Sequence, residues 1–248
     1  MPIRRKLAVV LTLLAVTGAG LATISYTRGQ SAATQPGVLI SPQARPLLDQ
    51  VRDAYASVKT LGIKGTIEGH FDIDGVQNEK SGEFTGLYSS TGQFRSDMNQ
   101  RITGNPAATQ PDADAMLCNT GDKIYLYLPS SNRFVMVDSP KGKVTLDSLG
   151  EDVADVLRNQ DLALALAVSG DAANELTQDA ISVQRVDDVK IDGQSYPAIE
   201  VTNPRYDMTL AIDPQTHFIR RTVTDLSKNA KLMGAQTVKS AVLTTNFV

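Results

Sequence analysis

The sequence predicts a mainly β fold with added helices: one strongly curved antiparallel sheet of about eleven strands, an N-terminal helix and a central helical insert. Three observations point there. Apolar residues recur at every second position through most of 63–138 and again through 182–247, with turn residues between the runs. A single run of helical spacing precedes the first block. Between the blocks, Leu146 to Ala180 becomes rich in leucine and alanine, with Leu149, Val153, Val156, Leu157, Leu162, Leu166 and Leu176 at helical intervals. A sheet of this size must curl, split or close to hide its apolar face, and helices are at hand to be wrapped.

The chain opens with Arg4, Arg5 and Lys6 ahead of an apolar run from Leu7 to about Ile24, then small and polar residues from Gln30 to Ala33. That is the layout of an export signal. Gly20-Leu21-Ala22 and Ser31-Ala32-Ala33 both fit small-x-small cleavage. The run also approaches the roughly 20 residues that span a bilayer, so an uncleaved anchor is the alternative, although Thr12, Thr17, Gly18 and Gly20 interrupt it. The expected organisation is therefore 1–33 as signal peptide or signal anchor, 34–41 as linker and 42–248 as one domain. The domain is expected to be periplasmic or otherwise extracytoplasmic, tethered to the inner membrane through residues 7–24 if the leader is retained.

Ser41-Pro42 marks a helix start, with Ser41 as N-cap, and Leu47, Leu48, Val51, Ala54, Tyr55 and Val58 share one face to about Lys59. From Ile63 the period becomes two: Ile63, Gly65, Ile67, Gly69, Phe71 and Ile73 point one way, and Lys64, Thr66, Glu68, His70 and Asp72 the other. Asp74-Gly75 is a turn, followed by strands at about Gly82–Ser89 and Gln93–Ile102. Thr103 to Asp114 reads as a loop. Lys123–Leu128 and Arg133–Asp138 form a hairpin about Pro129–Asn132. Two or three short helices follow, broken near Asn159-Gln160-Asp161 and Ser169-Gly170. Strands return at about 182–191, 195–202, 206–212, 217–225 and 237–247. Gly65, Gly69 and Gly86 would ease bending of the sheet.

Composition removes several kinds of chemistry. Cys118 is the only cysteine, so there is no disulfide framework; with His70 and His217 the only histidines, a Cys/His metal site is nearly excluded. Cys118 lies in an apolar stretch and reads as a buried small hydrophobe. Without residues 1–33, 20 basic residues face 27 acidic ones, a charge of −7 rather than −3, which disfavours nucleic acid as a partner. His70 and His217 sit at strand positions, and the pairs Asp72/Asp74, Asp112/Asp114, Glu151/Asp152 and Asp187/Asp188 fall at turns, loops or helix starts, where carboxylates are solvated. No phosphate-cradling glycine motif is present, and no enzyme activity or cofactor is expected.

The distinctive residues are apolar. Ile124, Leu126 and Leu128 alternate with Lys123, Tyr125 and Tyr127, and Phe134 and Met136 with Val135 and Val137, so both faces of the hairpin are greasy. The candidate lining of a hydrophobic cavity is Ile67, Phe71, Phe84, Phe94, Met98, Ile124, Leu126, Leu128, Phe134, Met136, Met208 and Leu210. The same residues would equally make a filled core.

Taken in order, the leader and first helix, the strand "IKGTIEGHFDID", the segment "GDKIYLYLPSSNRFVMVD", the central helices and "LAIDPQTHFIRRTVTDL" resemble the LolA/LolB lipoprotein-carrier superfamily over about residues 42–247. The resemblance implies an unclosed β-barrel with a helical plug and a hydrophobic cavity, which in carriers holds lipoprotein acyl chains. It implies a lipid or an acylated protein as partner. The same fold serves in RseB-like sensor domains, so an envelope interaction or regulatory module with a filled core, and an envelope protein as partner, is the alternative.

Overall fold

The structure, a computed structural model, describes residues 37–104, 114–129 and 132–248. The expected leader, most of the 103–114 loop, and Ser130 and Ser131 of the hairpin turn lie outside the described residues.

Among the described residues twelve strands make one sheet: β1 (Leu39–Ile40), β2 (Thr60–Ile73), β3 (Val76–Ser89), β4 (Phe94–Thr103), β5 (Ala115–Asn119), β6 (Lys123–Leu128), β7 (Arg133–Asp138), β8 (Ser182–Ile191), β9 (Gln194–Thr202), β10 (Asp207–Ile212), β11 (Ile219–Asp225) and β12 (Val238–Phe247). The order is β1-β8-β9-β10-β11-β12-β2-β3-β4-β5-β6-β7. The sheet is open, with β1 and β7 as its edges. Six helices accompany it: α1 (Arg45–Ser57), α2 (Leu146–Leu149), α3 (Glu151–Gln160), α4 (Leu162–Ser169), α5 (Ala172–Thr177) and α6 (Ser227–Leu232).

This is the predicted mainly β fold with an open sheet, with four differences. The twelfth strand, β1, is only two residues long, too short to show alternation, and it pairs parallel with β8 through Leu39↔Ser182 and Ile40↔Val183. β3 begins at Val76, because Asp74 (φ 52°) and Gly75 (φ 78°) make a tight two-residue turn that returns the chain at once. Its first half, rich in Gln, Asn, Glu and Lys, hides the strand from a hydrophobicity pattern. The insert contains four helices rather than two or three, and α6 fills a gap between β11 and β12 where no element was expected.

The helices start and stop where local chemistry dictates. Ser41 Oγ accepts the Ala44 N–H at 3.2 Å in the turn that leads into α1. Thr145 and Ser148 form a reciprocal capping box at α2. Asp161 performs two tasks: its N–H donates to Leu157 O at 2.8 Å, ending α3, and its Oδ1 accepts the Leu164 N–H at 3.0 Å, starting α4. Helix α4 reads LALALAVS, apolar on every side, and residues 163–168 are all buried. A helix of that kind has no face to show water.

Contacts divide the chain into two compact units. The first comprises 58–64 and 80–169: the start of β2, most of β3, β4 to β7, and α2 to α4. The second comprises 37–57, 65–79 and 170–248: β1, β8 to β12, the remainder of β2 and β3, and α1, α5 and α6.

In the second unit α1 buries Leu48, Val51 and Tyr55, with the Tyr55 ring edge-on to Phe218 at 5.0 Å between centroids. Val183, Ile199, Leu210 and Ile212 are sealed within it. The C-terminal strand β12 runs antiparallel to β2, from Val238↔Ile73 to Phe247↔Gly65. Asp74 closes that seam at the turn, its Oδ1 accepting the N–H groups of Gln236 at 2.9 Å and Thr237 at 2.7 Å. Asp74→Ala loses both bonds and places a residue without a side-chain acceptor at positive φ, which should lower stability by about 1–2 kcal/mol in urea unfolding. Asp74→Asn, which keeps one acceptor and tolerates the left-handed region, should retain most of it; an alanine variant with an unchanged midpoint would show that the brace contributes nothing.

Candidate functional site

The site is built in the first unit, where the sheet face is covered by helices. Register defines that face. Phe94 stands opposite Asn119, Ser96 opposite Leu117 and Met98 opposite Ala115; Leu117 stands opposite Leu126 and Asn119 opposite Ile124; Leu126 stands opposite Val135 and Ile124 opposite Val137. Counting along the β3–β4 ladder from the Ser89 N–H···O Gln93 bond, Gly86 falls opposite Ser96 and Phe84 opposite Met98. Phe84, Phe94, Met98, Leu117, Ile124, Leu126 and Leu128 are all buried, as are Leu146, Val153, Leu157, Leu164 and Leu166 of the helices.

One close approach of helix junction to sheet is polar. Asp161 is 0 % exposed, and a Cβ at Gly86 would overlap its Oδ2 and come within 3.4 Å of its Cγ. Only glycine admits the carboxyl here. Oδ2 has no hydrogen-bond partner, nor has Ser96 Oγ on the neighbouring strand. Burial pushes the Asp161 carboxyl up to about 7, with the Leu164 N–H pulling weakly the other way. A third polar group lies on the same face of β3, where Asn78, Lys80, Gly82, Phe84 and Gly86 alternate with exposed residues. Lys80 is half-buried, no carboxylate faces it among the described residues, and burial lowers its ammonium to about 8. By contrast Asn119 is satisfied, donating to Gly92 O at 2.9 Å and accepting the Gly121 N–H at 3.1 Å.

Six of the twelve candidate lining residues meet on this face: Phe84, Phe94, Met98, Ile124, Leu126 and Leu128. Ile67, Phe71, Met208 and Leu210 belong to the second unit, where Phe71 is half-buried and the others buried. Phe134 and Met136 require correction. They stand opposite Tyr127 and Tyr125 on the other face of the sheet, exposed by 70 % and 51 %. Val135 and Val137 take the covered face instead, because cross-strand register, not the alternation within either strand, assigns the side.

The remaining candidates are plain. His70 is an exposed strand residue 3.9 Å from Glu79, and His217 follows a turn at φ 60°. Asp188 is held below the usual carboxylate range chiefly by its hydrogen bonds to Arg185 and Ser195. Cys118 is half-buried rather than buried, on the uncovered face opposite Tyr125, and burial pushes its thiol up. Among the described residues no three His, Cys, Asp or Glu side chains gather to hold a metal, and no helix is long and apolar enough to cross a membrane. Sequence reasoning missed Asp161, Ser96 and Lys80. The break at Asn159-Gln160-Asp161 was a usable signal for the first, since an aspartate there caps the next helix.

No family model and no curated protein matches the chain. Solved structures do. The chain is similar to MucB at 15% identity and TM-score 0.41, covering 84% of this chain and spanning 57% of that one. It is similar to LprF from Mycobacterium bovis at 11% identity and TM-score 0.42, covering 84% and 92% of the two chains. A LolA superfamily protein from Nitrosomonas europaea also matches, at 9% identity and TM-score 0.27, over 83% and 91%.

The buried carboxyl has a definite pH signature. Between about 4 and about 7 the unfolded chain ionises Asp161 while the folded chain keeps its proton, so the folded state binds more protons and stability falls as pH rises through that window, levelling off above it. At about 1.4 kcal/mol per unit the loss attributable to Asp161 reaches about 4 kcal/mol. Subtracting the Asp161→Asn profile from that of the native chain isolates it; parallel profiles from pH 4 to 8 would refute the assignment. Gly86→Ala, which forces the carboxyl out of its seat, should cost about 1–3 kcal/mol in thermal unfolding.

Proposed function

We propose that the chain is a non-enzymatic, extracytoplasmic binding or carrier domain for a hydrophobic ligand, a lipid or the acyl chain of a lipoprotein. The observation that carries the reading is the covered face of the first unit. Its aliphatic, aromatic and methionine side chains face three short helices, α2 to α4, rather than a second sheet. The helices are short and separated by Gly150 at φ 84° and by Asp161. An acyl chain entering beneath them would leave water, at about 0.8 kcal/mol per buried methylene. Methionine at 98 and leucines at 117 and 126 suit a ligand of variable shape. Lys80, at the end of the same row of β3, gives an acidic headgroup a cation that no carboxylate among the described residues neutralises.

A second reading is an envelope interaction or regulatory module with a filled core. It is favoured by how completely the layer is packed, with Leu117, Leu157 and Leu164 each at 0 % exposure, while Phe134 and Met136 face outward.

Delipidated protein titrated with a fluorescent fatty acid decides between them. Uptake at micromolar probe is expected, and Lys80→Ala should weaken it about fivefold, the equivalent of about 1 kcal/mol, while leaving a zwitterionic acyl probe unaffected. No uptake by the native chain would discard the carrier reading in favour of the module. Native mass spectrometry of gently purified material reports copurified lipid in the same sample.

A further inference from the structure

Among the described residues strand β7 ends the sheet, and its hydrogen-bonding pattern shows what its outer side offers. The Ser139 N–H donates to Asp122 O at 2.9 Å, on the same register as Lys123↔Asp138. In an antiparallel ladder bonded and non-bonded pairs alternate. Val137, Val135 and Arg133 therefore spend their backbone groups on Ile124, Leu126 and Leu128, and the N–H and C=O groups of Phe134, Met136 and Asp138 point away from β6 into the open edge. The side chains of Phe134 and Met136 are the exposed ones, at 70 % and 51 %. Edges of soluble sheets are ordinarily blunted by a lysine, a proline or a bulge. The six residues of β7, RFVMVD, contain neither lysine nor proline, and all six pair with β6 without a register shift.

We propose that β7 pairs antiparallel with β7 of a second copy of this chain, about a two-fold axis at Val135. The strand is complementary to itself. In that register the outward N–H and C=O groups of Phe134 meet those of Met136 of the second copy, twice over. On the uncovered face each cross-strand row then runs Tyr125, Met136, Phe134 of the second copy, Tyr127 of the second copy, an alternation that sets a thioether against aromatic rings on the partner strand. On the covered face the row runs Leu126, Val135, Val135 of the second copy, Leu126 of the second copy. The Arg133 end of one strand comes beside the Asp138 end of the other, where Asp138 is already paired with Lys123 of its own β6. Centring the axis on Met136 instead would set Phe134 against Asp138 of the second copy. The pairing rests on the backbone edge of β7 and holds whether or not the covered face takes a ligand.

Analytical ultracentrifugation of the purified protein, with melting temperature and circular dichroism as controls, tests the pairing. A dimer is expected at micromolar concentration. Met136→Pro removes an outward donor that β6 does not use, so the fold should persist while the dimer weakens about 100-fold or more; Phe134→Lys should act alike. In a Cys118→Ser background, oxidised Val135→Cys should cross-link to itself, whereas Val137→Cys, whose copies would stand about 13 Å apart, should not. A monomer at about 100 μM, a dimer that survives both edge substitutions, or cross-linking through position 137 rather than 135 would each overturn the proposal.

Discussion

The helices of the first unit reach the sheet at the point where Gly86 leaves room for Asp161. Much follows from that one contact. Because Asp161 also ends α3 and begins α4, its position sets the angle at which both helices leave the junction. Helix α4, apolar all round, must then be enclosed, and α2 and α3 complete the cover with Leu146, Leu149, Val153 and Leu157. The carboxyl is costly where it lies: one oxygen is capped by Leu164 and the other is bare, as is the Ser96 hydroxyl nearby. No ion pair among the described residues offsets the cost. Arg95 and Arg158 on the packed elements pair with Asp97 and Asp155 instead.

The sheet of the first unit is greasy on both sides for different reasons. Its covered side is a packed layer that excludes water. The uncovered side presents Met116, Tyr125 and Tyr127 half-buried, leading out to Phe134 and Met136 at the edge. Tyrosines suit such a surface, since the ring packs while the hydroxyl remains wet; that of Tyr127 reaches Asn132 at 3.4 Å.

Most elements were legible because a period of two or 3.6 survives wherever one face is dry and the other wet. Strand β2, with Ile63 and Ile67 in and Lys64 and Glu68 out, is the clearest case. The pattern loses its power where both faces are apolar. Tyr125 and Ile124, or Phe134 and Val135, cannot be sorted by hydropathy, and only pairing across strands assigns them. It also loses power where a strand is mostly polar, as in the first half of β3, or two residues long, as in β1. The polar members of the candidate site were hidden for another reason. Whether Asp161, Ser96 and Lys80 are solvated or buried depends on what packs over them, which is a property of tertiary contacts between segments far apart in sequence.

The seam between β2 and β12 bears on the order of events during folding. Gly65 pairs with Phe247 and Asp74 braces Thr237, contacts separated by well over half the chain. Until residues 238–247 have been made, one side of β2 has no strand to bond, and Ile67, already flanked by β3, lacks its neighbour Thr245. Long-range pairing of this sort is slow, because the chain entropy lost in closing so large a loop precedes any reward from contact. During that interval the unpaired edge of β2 is open to foreign strands, and the chain is most exposed to aggregation before β12 has docked.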